Sequence, residues 1–153
     1  MKKIPLTQGR FAIVDDDQFA ELRQHNWHLH SKGYAARECV VAGRTSYMFM
    51  HRVIAGTPKG METDHINGDK LDNRFKNLRV CTKSENMRNR GKQRDNKSGF
   101  KGVYFQKLKG KFASQIRLHG KVTCLGLYST AADAHAAYCA ASARIHGEFG
   151  RTV

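Results

Sequence analysis

Asp64 and His65 are adjacent in a stretch, Glu62 to Arg90, that reads ETDHINGDKLDNRFKNLRVCTKSENMRNR. The carboxylate of Asp64 and the amide of Asn86 are hard oxygen donors of the kind that hold Mg²⁺, an ion that keeps several of its own waters. His65, with an ordinary pKa near ~6.5, can accept a proton from an attacking water at neutral pH. A cation so held stabilises charge on a phosphate and on its leaving oxygen. The chemistry these groups suit is metal-assisted phosphodiester hydrolysis.

The elements that must position them are legible around them. Asn67-Gly68 is a turn signal, and Leu78 to Cys81 is a short apolar strand. Thr82-Lys83-Ser84-Glu85 is a capping box that opens a helix, with Asn86 about one turn into it and Gly91 placed to end it. The order is strand, loop, strand, helix, with Asp64-His65 near the end of the first strand. Asn67, Asp69, Asp72 and Asn73 read as loop structure, since such side chains satisfy nearby backbone, and Asp72 stands nearest to a supporting role.

This segment resembles the HNH nuclease motif, or ββα-metal fold, in its phage and intron homing-endonuclease branch. Asp64, His65, Asn77 and Asn86 match the metal-binding Asp, general-base His, central Asn and helical Asn of that motif. The resemblance implies that Asn77 holds the loop or orients His65. It also implies Mg²⁺ or Mn²⁺ rather than Zn²⁺, because the last position is Asn and not His. Cleavage would leave 5′-phosphate and 3′-hydroxyl ends. His51-Arg52 ahead of the strand also recurs in this branch. Arg52 could clamp a phosphate through its planar guanidinium, with local packing as the default for both residues.

The chain has 153 residues, 40% hydrophobic, and a formal net charge of +14. So large a single-sign charge suits a polyanion partner, double-stranded DNA above all. From Arg74 to Lys97 there are nine Lys or Arg against two acids, and Arg88 and Arg90 in that run are candidate DNA contacts. No apolar run approaches the ~20 residues of a membrane-crossing helix, and the N-terminus lacks a signal-peptide core. Cys39, Cys81, Cys124 and Cys139 are widely spaced and read as buried free thiols of a reducing cytoplasm, the host's if the chain is phage-encoded.

Ahead of the motif, Phe11 to Asp15 reads as a strand and Asp15 to Asp17 as the cap of a helix running to His25. A hairpin follows over Trp27 to Arg37, with a second turn at Ala42-Gly43-Arg44. Trp27 is read as core, and His25, His28 and His30 as packing or surface groups rather than metal ligands. Residues 92–98 carry no apolar side chain and read as a basic linker. The domain organisation is then 1–91, a nuclease domain with a β-rich lead-in; 92–98, the linker; and 99–153, a separate module.

That module alternates through strands at Phe100–Phe105, Lys111–Leu118 and Val122–Tyr128, with a tight turn at His119-Gly120. An alanine-rich helix capped by Thr130 runs to about His146, with Ala134, Ala137, Ala140 and Ala141 letting it lie close to the sheet. Ser98 to Val103, Lys111 to Arg117, Leu125 to Tyr128 and Thr130 to Tyr138 resemble the ethylene-response-factor (Apetala-two type) DNA-binding domain, although Phe112 stands where Trp is usual. The resemblance implies a free positive sheet face for the major groove, with Lys101, Tyr104, Lys111 and Arg117 as contacts.

The fold class is α+β: a ββα-metal HNH domain plus a small three-stranded antiparallel sheet with one packed helix. The function expected is a single-metal DNA endonuclease of homing type, from a phage or mobile element, that nicks as a monomer or cuts both strands as a homodimer. The competing readings are a non-catalytic sequence-specific DNA-binding protein on an HNH scaffold, and an RNA-binding or RNA-cleaving protein.

Overall fold

A computed structural model describes residues 1–118 and 120–152. The chain divides into two compact units, Met1–Lys83 and Ser84–Val153. Among the described residues it holds four α-helices and small antiparallel sheets, a mixed α/β architecture.

In the first unit, β1 (Lys2–Pro5) pairs antiparallel with β2 (Phe11–Val14), and α1 (Asp16–Leu22) follows. The sequence does not reveal β1, where two lysines and a proline hide the two-residue period; its buried Ile4 pairs with Ala12. The helix stops at Leu22, short of the expected His25. Asp15 stands at the N-cap but makes no side-chain cap bond; its Oδ2 accepts from the Phe75 N–H at 2.7 Å. A second sheet is formed by β3 (His28–Leu29), β4 (Ala35–Val41) and β5 (Arg44–Phe49), in that order. Ala42 and Gly43 turn the β4–β5 hairpin with φ of 50° and 73°, the left-handed pair that matches the twist of its strands. A short helix, α2 (Met50–Ile54), continues from β5 and buries Met50 and His51. The core gathers Ile4, Val14, Leu22, Trp27, Met50 and Leu71, and Trp27 Nε1–H donates to the Leu22 carbonyl at 2.8 Å, confirming Trp27 as core.

The third sheet of this unit is the hairpin β6 (Glu62–His65) and β7 (Leu78–Cys81), as the sequence implied. The loop between them is stitched to β2: Ile13 N–H donates to Leu71 O and Asn73 N–H to Ile13 O, both at 2.8 Å. Directly after Thr82 comes α3 (Lys83–Asn89), all but its first residue in the second unit.

In the second unit, β8 (Val103–Gln106), β9 (Lys111–Leu118) and β10 (Lys121–Tyr128) form one antiparallel sheet with β9 central, and α4 (Ala131–His146) packs on it. The expected turn at His119-Gly120 includes His119, which lies outside the described residues. Thr130 caps α4 as expected: its Oγ1 accepts from Asp133 N–H at 3.1 Å and donates to Asp133 Oδ2 at 2.7 Å. The helix turns Ala134, Tyr138, Ala141 and Ser142 inward, whereas Ala140 is exposed; Tyr138 is central. Residues 92–98 are well engaged, with Asn96 Nδ2 donating to Phe100 O at 2.8 Å and Ser98 Oγ to Val103 O at 2.8 Å. All four cysteines are free thiols, but only Cys81 is buried; Cys124, on the edge strand β10, is exposed, contrary to the expectation from sequence.

Gly102 sits at φ 75°, and a Cβ there would fall inside the Tyr138 ring. Gly102→Ala therefore combines left-handed strain with a backbone-against-core clash, and a loss of about 3 kcal/mol is expected in urea unfolding.

Candidate active site

Strand β6 pairs Asp64 with Arg79 and His65 with Leu78. Thr63, Asp64 and His65 are all buried, which is unusual for two ionisable groups in a short hairpin. Each is met by a specific partner. Asp64 Oδ2 accepts from Arg79 Nε at 2.9 Å and Nη2 at 2.7 Å, a cross-strand ion pair with both side chains largely out of water.

His65 Nε2 lies 3.1 Å from Asn73 Oδ1. The Asn73 amide nitrogen donates to Leu71 O at 3.3 Å, so the oxygen is the atom that faces His65. His65 must then donate from Nε2, which leaves the basic lone pair on Nδ1. Burial lowers the pKa of His65, opposed by the Asn73 bond and by the carboxylates of Asp64, Asp69 and Asp72. The ring is thus neutral at pH 7 and oriented. From sequence, Asn73 is indistinguishable from loop structure; only its burial beneath His65, at 0% exposure, marks it out.

The rest of the loop fixes that geometry. Asn77 Oδ1 accepts from Asn67 N–H at 3.0 Å, and its Nδ2 donates to Asn67 Oδ1 at 3.0 Å and Asp72 O at 2.7 Å. Asn77 is thus bonded to Asn67 and Asp72 within the loop, while Asn73 contacts the imidazole. Asp72 takes both oxygens to Arg74, at 2.7 and 2.6 Å, and this pairing depresses its pKa.

His51 on α2 lies beside the site, its ring centroid 5.1 Å from that of His65. It is buried, and its Nδ1 has no hydrogen-bond partner among the described residues. Burial, then the nearby His65 and Arg52, pushes its pKa down to about 3. Arg52 donates to Met61 O at 2.9 Å and Pro58 O at 3.4 Å, bracing the chain ahead of β6.

The other residues that the sequence nominates belong to the second unit. Asn86 is half-buried on α3; Arg88 on the same helix approaches Ser84 Oγ at 3.4 Å, and Arg90 is exposed. In the sheet, Tyr104 pairs with Ala113, and Ala113 alternates with Lys111 and Arg117 along β9; these side chains share the face opposite Ile116, whose face packs on α4. Lys101 differs from them. Its Nζ donates to Arg88 O at 2.6 Å and Arg151 O at 2.8 Å, and burial, then Arg151, pulls its pKa down to about 8. Its charge is committed within the unit rather than displayed on the sheet.

As to a metal, Asp64 is a buried carboxylate whose Oδ2 is already paired with Arg79, so a divalent ion there would have to share that carboxylate with the guanidinium or displace it. The carboxylate is the donor type that Mg²⁺ and Mn²⁺ prefer. Among the described residues no group of three His, Cys, Asp or Glu side chains could hold a metal ion. No helix among them is long and apolar enough to cross a membrane.

Two expectations follow. Arg79→Ala leaves Asp64 buried without its guanidinium and should cost about 3 kcal/mol in urea unfolding, much of it recovered by adding Asp64→Asn. His51 stays neutral in the folded chain while the unfolded chain takes up a proton below pH ~6.5. Stability should therefore fall as pH drops from ~6.5 towards 3, by about 1.4 kcal/mol per pH unit from this group, and His51→Phe should flatten that slope.

Residues 49–88 match the family model described as HNH endonuclease, a segment that runs from the end of β5 to α3. The chain is 30% identical over 102 residues to a protein of Acanthamoeba polyphaga mimivirus described as an uncharacterized HNH endonuclease, covering 63% of this chain and 51% of that one. It is 34% identical over 64 residues to Protein 3.8 of Escherichia phage T7, covering 42% of this chain and 53% of that one. The chain thus spans about half the length of the curated relatives it matches. No solved structure matches it. The buried Asp64–His65 pair, the loop that orients it and both strands of its hairpin all fall inside the segment that matches the HNH endonuclease family model.

Proposed function

We propose that the chain is a DNA endonuclease that hydrolyses phosphodiester bonds. The observation that carries this reading is an imidazole, His65, oriented by Asn73 next to a buried carboxylate within the HNH-matched segment. His65 accepts the proton of the attacking water at Nδ1. Asn73 holds the tautomer that makes this possible, and Asn77 and Asp72 keep the loop in register. Asp64 offers a carboxylate oxygen to a divalent ion, with Arg79 keeping that side chain aimed; Asn86 enters as the second ligand through its match to the motif alone. Mg²⁺, or Mn²⁺ in its place, would supply Lewis-acid stabilisation of charge on the phosphate and leaving oxygen.

The net charge of +14 supports a polyanionic substrate. Within the second unit, the sheet face of Tyr104, Lys111 and Arg117 is the proposed recognition surface, as the ethylene-response-factor resemblance suggests, with Arg88 and Arg90 as phosphate contacts. Arg52 and Lys101 serve packing first, given their backbone partners. The viral sources of both relatives suit a nuclease of homing type from a phage or mobile element.

The test is conversion of supercoiled plasmid to nicked or linear form. Cutting is expected with Mg²⁺ and not with EDTA, and His65→Ala should lower the rate at least about 100-fold. Asn73→Leu should lower it about 10-fold, the loss of one orienting hydrogen bond. Because burial lowers the pKa of His65, the midpoint of the rate's fall with decreasing pH should lie below the ordinary histidine value of ~6.5. Tight DNA binding without cutting, with Mn²⁺ also tried, would replace this reading by that of a non-catalytic DNA-binding protein.

A further inference from the structure

One face of the β3–β4–β5 sheet carries a continuous row of rings that ends at His65. His28 meets Tyr47 edge-on at 5.9 Å between centroids, and His30 lies 5.0 Å from Tyr47 and 5.3 Å from Phe49. Phe49 is 5.9 Å from Tyr34 and 5.7 Å from His51, and His51 is 4.8 Å from Tyr34 and 5.1 Å from His65. The strand register produces the row. His28 pairs with Ala36, Ala36 with Phe49, and Glu38 with Tyr47, so His28, Phe49 and Tyr47 lie on one face. The opposite face sends Leu29 and Ala35 into the core.

Core packing accounts for the inner rings, His51 and His65. It does not account for the outer ones. His28, His30, Tyr34 and Phe49 are half-buried, and Tyr47 is 47% exposed. The solvent face of a small antiparallel sheet ordinarily carries polar side chains. A contiguous ring surface there is the kind of patch that marks a binding site. Its charge setting points to the ligand. The Lys70 ammonium lies 4.8 Å over the Tyr34 ring, held there by the Lys32 carbonyl at 2.9 Å, and the Lys32 side chain is exposed. Glu38, opposite Tyr47, is the acid on this face.

Resting on the reading of His65 as the catalytic base, we propose that Tyr47, His30 and Phe49 form a stacking platform for unpaired bases of a DNA strand, leading its backbone to His65. Rings beside an exposed lysine suit a chain of flat bases joined by phosphates, because stacking tolerates any base while the Lys32 ammonium meets the backbone. A closed duplex hides its base faces and cannot use such a row. The preferred substrate is therefore single-stranded or locally opened DNA.

The experiment is fluorescence anisotropy of the full chain in EDTA, so that nothing is cut, with three probes: a short oligothymidylate, a closed duplex, and the same duplex with a central mismatched bubble. Tyr47→Leu should weaken oligothymidylate binding about 5- to 50-fold, Tyr47→Phe should retain it, and closed-duplex affinity should move less than about twofold. A Tyr47-dependent gain for the bubble over the closed duplex would identify opened duplex as a source of the unpaired bases; its absence would restrict the platform to free single strands. Equal losses on oligothymidylate and closed duplex, or no loss on either, overturn the proposal. If Tyr47→Leu shifts the urea midpoint, the ring resonances of His28, His30 and Tyr47 in the unmodified chain decide instead: they must shift with oligothymidylate and not with closed duplex. Oligothymidylate binding that depends on Tyr47, in a chain that never cuts plasmid with Mg²⁺, would remove the nuclease reading and leave the platform. Cutting without Tyr47 dependence on any probe would remove the platform alone.

Discussion

Burying a carboxylate and an imidazole side by side at the end of a short strand is the constraint on which the first unit depends. Each loses water contacts worth several kcal/mol, and neither is kept unless a fixed partner replaces them. Arg79 does this for Asp64 from directly across the hairpin. Asn73 does it for His65, and it can only do so because its own backbone is pinned to Ile13 of β2. The loop between β6 and β7 is therefore ordered from both ends, by the Asn67–Asn77 exchange and by its bonds to β2. A loop of polar residues thus works as a rigid element because almost every polar group in it has an assigned partner.

The same constraint explains the chemistry of the site. Desolvation lowers the affinity of both imidazoles for protons, so His51 and His65 stand neutral beside each other where two cations would repel. The hydrogen bond to Asn73 then selects which nitrogen of His65 is basic. Orientation and the lowered proton affinity are two results of one packing arrangement.

The second unit solves a different problem, that of a small sheet covered by one helix. Its centre is Tyr138, which lies under Gly102 and beside Ile116 and Ala141. The absence of a side chain at Gly102 is what lets the tyrosine ring reach that depth. Lys101, next in sequence, spends its charge on two carbonyl groups, so the sheet's positive face rests on Lys111 and Arg117.

Local patterns determined much of this protein. The strand at Leu78–Cys81, the strand at Lys111–Leu118, the Thr130 cap, the hairpin turn at Ala42-Gly43 and the adjacency of Asp64 and His65 each follow from residues within one or two turns of each other, where short-range sterics and hydrogen bonds decide. The tertiary structure alone decided the rest. Strand β1 exists because Ile4 finds Ala12, and its lysines and proline carry no period of their own. Asp15 looks like a helix cap but serves a backbone N–H 60 residues away. Asn73 looks like any loop asparagine until the loop folds it beneath His65. The ring row from Tyr47 to His65 is assembled from separate segments by strand register. In each case the deciding partner is remote in sequence, and the energy that selects it is the burial of a group whose surroundings no local window contains.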